Sequence, residues 1–117
     1  MIEPHIVRVI GPHVDGKVFP DEAPGDTRPP YAIYQQIGGP VITTVEGGPS
    51  GRQKGRFQVN VWASTRAAAS TLSRAIQASM QSDPVVFAEP LGALAADFDR
   101  AIKLYGATQD FSISWDD

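Results

Sequence analysis

From Tyr105 to Trp115 the odd-numbered positions read Tyr105, Ala107, Gln109, Phe111, Ile113 and Trp115. Thr108, Asp110, Ser112 and Ser114 stand between them. A period of two is the repeat of a β-strand, whose side chains alternate between its two faces. The stretch predicts a long amphipathic strand, and such a strand commits the chain to a sheet with at least one buried face. A second stretch repeats the pattern. Phe57, Val59 and Val61 alternate with Gln58, Asn60 and Trp62, which predicts another strand with one apolar side.

An apolar sheet face needs a cover, and the next segment supplies one. Ser64 or Thr65 can cap a helix, because a hydroxyl there accepts from the free amides of the first turn. Ala68, Ala69, Leu72, Ala75, Ile76 and Met80 then fall on one stripe at helical spacing, with Arg66, Ser70, Ser73, Arg74 and Gln77 on the other side. Asp83-Pro84 ends the helix. Ile6, Val9 and Ile10 predict a short N-terminal helix stopping near Gly11-Pro12.

The remaining segments are shorter. Val18–Pro20 reads as a brief extended piece and Asp21–Pro30 as a surface loop. Tyr31–Ile37 and Val41–Val45 read as strands, separated by Gly38-Gly39-Pro40. Glu46–Gly55, with four glycines and a proline, reads as a flexible hairpin loop. Val85–Ala88 looks extended. Leu91–Asp97 is ambiguous: Leu91, Leu94 and Phe98 fit helical spacing, while Pro90 and Gly92 oppose a helix. The sum is an α+β fold in a single domain spanning residues 1–117. It has a mostly antiparallel or mixed sheet of four to six strands, one main helix (about 65–82) on one face and a short N-terminal helix.

Composition narrows the chemistry. Cysteine is absent, which removes disulfides, thiolate metal sites and a cysteine nucleophile. No apolar run reaches the roughly 18 residues of a membrane span. Met1–His5 lacks a basic region followed by an apolar stretch, so no signal peptide is expected. Net charge is −3; residues 1–80 balance at +2 and residues 81–117 at −5, a polarity that suits head-to-tail packing of copies.

Candidate sites are few. His5 and His13 lack carboxylates at ligand spacing and read as surface residues. Gly47–Gly55 resembles a phosphate-binding loop only in its glycines, since Lys54 is followed by Gly55 and a strand. Asp97 and Asp99 would share a strand face and offer two carboxylates to a hard cation, but flanking a turn explains them as well. No catalytic, metal or cofactor-binding residue is expected. Arg52, Lys54 and Arg56 form the one basic cluster, either a phosphate contact or a device that keeps a hairpin soluble. On the sheet face away from the helix, Tyr34, Gln36, Gln58, Asn60 and Trp62 would lie together if the strands pair in register. Amides and aromatics without charge suit a contact surface.

Several stretches, in order, resemble the tail completion family of tailed phages, prophages and gene-transfer agents. They are Val18-Phe19-Pro20-Asp21, Ala23-Pro24, Arg28-Pro29-Pro30-Tyr31 with Tyr34-Gln35-Gln36, and Arg56–Ala63 before an alanine-rich helix. Leu104-Tyr105-Gly106 and Gln109–Trp115 complete the set. The resemblance implies a lambda-like tail terminator: an α+β subunit of a hexameric ring that caps the tail tube, halts its polymerisation and presents a surface to the head connector or stopper. It implies a virion tail protein assembled in the bacterial host cytoplasm, with DNA passing through the ring unread and no membrane partner. It further implies that Leu94–Phe98 is a strand pairing with Leu104–Trp115 across a turn at Asp99–Ile102. A head-side neck protein, or a small nucleic-acid-binding module using the 52–56 cluster, is the alternative reading.

Overall fold

The computed structural model describes residues 1–39 and 52–116. The expected strand at Val41–Val45 and most of the expected loop at Glu46–Gly55 lie outside the described residues. In chain order the elements are α1 (Glu3–Ile10), a 3₁₀ turn (Gly11–His13), β1 (Val18–Pro20), β2 (Tyr31–Gln36), β3 (Arg52–Ala63), α2 (Arg66–Ser82), β4 (Glu89–Asp99) and β5 (Leu104–Asp116). Among the described residues the fold is α+β, with five strands in the order β1-β2-β3-β5-β4. β1 and β2 run parallel, and every other neighbouring pair is antiparallel.

β3 and β5 form the spine, paired without interruption from Arg52↔Asp116 to Ala63↔Tyr105. Partners directly opposite share a face. Phe57, Val59 and Val61 therefore stand with Phe111, Gln109 and Ala107 on one side, and Ile113 opposite Gly55 extends that side. β3 begins five residues before the Phe57 start that the sequence pattern suggests. Arg52–Gly55 is strand because it pairs with Ile113–Asp116, a long-range partner that local patterning does not reveal.

Both helices cover this one face. Thr65 caps α2, its hydroxyl accepting from the Ala68 amide at 3.1 Å. The buried line of α2 is Ala69, Ser73, Ile76 and Met80. Ser73, expected on the polar side, is in fact buried; it falls on the line of contact, where a small side chain lets the helix approach the sheet. α1 buries Ile6, Val9 and Ile10. Together with Val14, Phe57, Val59, Val61, Met80, Phe111 and Ile113 these form one continuous core.

Asp83 ties the two helices. Its Oδ2 accepts from Arg8 Nη1 at 2.9 Å, and its Oδ1 accepts from Arg8 Nη2 and from the amides of Val85 and Val86, each at 3.0 Å. Val85–Ala88, expected to be extended, is consequently a turn and a short irregular connection. The carboxylate captures the amides that a strand would have used. A second tie joins His13 Nε2 and Ser79 Oγ at 2.8 Å, so His13 is half-buried against α2 and not a free surface histidine. Tyr34 is buried under α1, and its hydroxyl is pushed up to about 12 by desolvation, then by the charge and hydrogen bond of Glu3 and the charge of Asp21.

The ambiguous segment is a strand. β4 pairs with β5 from Asp99↔Leu104 to Ala95↔Thr108, and again from Leu91↔Asp110 to Glu89↔Ser112. Between the two runs, Gly92, Ala93 and Leu94 face Gln109 alone, which is a bulge. Gly92 takes φ +78°, open to glycine at little cost. The buried Gln109 amide fills the bulge by donating to the Gly92 carbonyl at 2.9 Å. Leu94 turns onto α2 beside Ala63, Ala69 and Ala107. The turn between the strands is Arg100–Lys103, one residue beyond the expected position.

Two stability predictions follow from this packing. Phe111 is fully buried, so Phe111→Ala should cost about 3–5 kcal/mol in urea unfolding. The Arg8 guanidinium, followed by the Val86 amide, holds the Asp83 carboxyl well below the usual carboxylate range. A depressed folded-state pKa stabilises above the unfolded value and is lost as pH falls through the folded one. Asp83→Ala should therefore lower the urea midpoint at neutral pH, and its gap from the wild type should narrow only in acid, below the ordinary carboxylate range.

Candidate interaction surface

Helices cover one sheet face, and the even-numbered residues of β3 stand on the other. Lys54, Arg56, Gln58, Asn60 and Trp62 form a single row along it, and Arg52 holds the first register position of the same strand. The basic cluster and the amide–aromatic group, separate in the sequence, are thus two ends of one row. Tyr34 and Gln36 do not join it. The register sets Tyr34 opposite Val59 and Gln36 opposite Phe57, on the helix side. An even-numbered β2 residue meets an odd-numbered β3 residue, and a shift of one residue exchanges the faces. The β2 residues on the open face are Tyr31, Ile33 and Gln35, opposite Trp62, Asn60 and Gln58.

The middle of the row is hydrogen-bonded. Arg56 donates to Asp110 Oδ2 through Nη2 at 2.7 Å and Nε at 3.2 Å. Gln58 Nε2 donates to Asp110 Oδ1 at 3.2 Å, Asn60 Nδ2 to Gln58 Oε1 at 3.4 Å, and the Thr108 hydroxyl to Asn60 Oδ1. Asp110 and Thr108 were readable as open-face residues of the last strand, but their partners depend on register. The network consumes part of the basic cluster: Arg56, half-exposed, is already paired with Asp110. What remains is a nearly neutral polar band, which is inexpensive to bury against another protein because its groups already satisfy one another.

Trp62 marks one end of the band. It lies across Gly106, where an added Cβ would come within 2.9 Å of the indole. Beside it the Glu22–Pro29 part of the loop overhangs the sheet and leaves a groove of about 500 Å³, walled by Ile33, Trp62, Ile102, Leu104 and Pro24 and reached by Tyr31. Desolvation, and then the charge of Asp99, push the Tyr31 hydroxyl above its ordinary range. Asp99 also holds the hairpin turn, its Oδ1 accepting from Ala101 at 2.9 Å and Ile102 at 3.4 Å. Asp97 accepts from the amide of Phe98 at 2.8 Å. Among the described residues, no group of three or more His, Asp or Glu side chains could hold a metal ion. No helix among them is long and apolar enough to cross a membrane.

The opposite end carries a notch of about 820 Å³, where β4 stops at Glu89 and the outer edge of Ile113–Trp115 has no strand partner among the described residues. Lys54, His5, Val85, Phe87 and Trp115 line it. Phe87 is 73% exposed and Val85 47%; at the hairpin end Ile102 is 51% and Phe98 40%. The largest exposures, Met1 among them, gather at these two ends, as contact surfaces do, while Val7 and Ile37 stand apart. Sequence reading missed the notch because Val85–Ala88 reads as extended, and the turn that exposes Val85 and Phe87 is made by Asp83.

Gly106→Ala should drive the new methyl into Trp62. The expected result is a loss of about 1–3 kcal/mol in urea unfolding with a red-shifted Trp62 emission, read in a Trp115→Phe background.

Residues 8–114 match the family described as tail completion protein gp17. No curated protein matches the chain.

Proposed function

The chain belongs to the tail completion protein gp17 family, a family of structural phage tail proteins, and from that premise we propose that it caps the tail tube as a ring. In this reading copies of the chain, six by the resemblance, close on the head-proximal end of the tube, stop its polymerisation and offer their outer surface to the head connector. DNA passes through the centre without sequence recognition. The protein is a component of the virion, assembled on the tail in the host cytoplasm.

The observation that carries the reading is the one-sided sheet. Both helices pack on one face, while the other presents a nearly neutral hydrogen-bonded band between two ends rich in exposed apolar side chains. A subunit of a ring needs two unlike surfaces, because each copy meets one neighbour through one side and the next through the other, and the ring closes when the rotation between copies does. A tail cap also needs a further surface for the tube. The sheet ends and the open face together supply that number.

The test is a deletion in the phage or prophage that encodes the chain, followed by electron microscopy of the lysate. Tails that overrun their normal length and fail to join heads are the expected outcome. Tails of normal length attached to full heads would dismiss the proposal.

A further inference from the structure

The groove beside Trp62 and the Lys54 end of β3 lie at opposite ends of one sheet face, and Lys54 is opposite in charge to the groove's carboxylates. Among the described residues, the groove's charged lining is two carboxylates, Glu22 and Asp99, with no lysine or arginine. Asp99 is fixed by the two turn amides it accepts from. The rest of the wall is apolar or aromatic, with the Trp62 indole seated on Gly106. A held carboxylate beside an indole and an aliphatic wall suits a lysine or arginine, whose stem packs on apolar surface while its head meets the charge.

The chain concentrates such residues in one place, at Arg52, Lys54 and Arg56. Lys54 is exposed, and Arg56 keeps half its side chain in solvent beside Asp110; Glu89 and Asp116 line the same notch, so the exposed Lys54 head is the cation that the contact uses. Neither can reach the groove of its own copy. Lys54 and Trp62 belong to the same strand, eight positions apart, which is about 26 Å along a rigid β3. Exposed apolar residues flank both partners: Ile102 by the groove, Val85 and Phe87 by Lys54.

We propose that the Lys54–Arg56 end of β3 in one copy docks into the Glu22/Asp99 groove of the next. The contact joins unlike ends of one face, so it is heterologous and repeats from copy to copy. The inference rests on the ring reading above and names the surfaces that would build it.

Sedimentation velocity of the full chain tests it, using the wild type, Glu22→Lys, Lys54→Glu and the double variant, each checked for folding by circular dichroism. Both positions are exposed, so the fold should tolerate the changes. The wild type should associate at low salt and weaken as ionic strength screens the charges. Each single variant should weaken association about tenfold or more. The double variant, and an equimolar mixture of the two singles, should recover it, since the reversed charges again meet opposite partners.

A wild type that stays monomeric at low salt overturns the contact. So does association indifferent to both substitutions, or a double variant no better than the singles; a basic segment of another tail protein would then be the occupant to seek. If tails remain capped while this assay fails, the contact falls and the ring reading stands. Failure of the deletion test instead removes the reading on which the contact rests.

Discussion

The uninterrupted pairing of β3 with β5 is the constraint on which the rest of the molecule depends. Across it, side chains alternate strictly between a helix-covered face and an open one. Phe57, Val59, Val61, Phe111 and Ile113 on the covered side create the apolar surface that α1 and α2 must bury. The same alternation leaves Lys54, Arg56, Gln58, Asn60 and Trp62 in a line on the other side. Core and contact surface are two consequences of one register, so a change that slipped β5 by one residue would destroy both.

What the helices leave uncovered is arranged by short-range chemistry. Asp110 gathers Arg56 and Gln58. Gly106 gives Trp62 a place to lie, and Gln109 plugs the bulge that lets Leu94 reach α2. Asp83 holds Arg8 and at the same time shapes the turn that leaves Val85 and Phe87 exposed while Val86 enters the core. One carboxylate thereby couples helix packing, which is a matter of stability, to the display of exposed apolar residues, which is a matter of assembly.

The elements that sequence revealed are those whose periodicity is local. α2, β5 and the Phe57–Trp62 part of β3 show their repeats within a dozen residues, and the N-terminal helix ends where Gly11-Pro12 said it would. The rest depends on partners distant in the chain. Arg52–Gly55 has no strand pattern of its own and is strand because Ile113–Asp116 lies beside it. β4 hides its period behind a bulge. Val85–Ala88 has β-branched composition, but Val85, Val86 and Phe87 give their amides to Asp83 and Ala88 gives its own to Met80. Tyr34 and Gln36 went to the wrong face for a reason of parity alone, since Tyr34 meets Val59 and not Gln58. Of the candidate surface, the open-face residues of β3 were legible. The Asp110 network, the Trp62 groove and the notch were not, because each is made by residues that only the fold brings together.

On a tail, the subunit's bare sheet face and its two apolar ends would be occupied. A reconstruction of intact tails by electron cryomicroscopy, with this chain fitted into the head-proximal density, examines that claim most directly. The expected density is a closed ring at the end of the tube, in which the groove beside Trp62 meets the Lys54 end of the adjacent subunit. A tail whose last tube layer carries no density for this fold, or a ring in which both ends of the sheet face solvent, would contradict it.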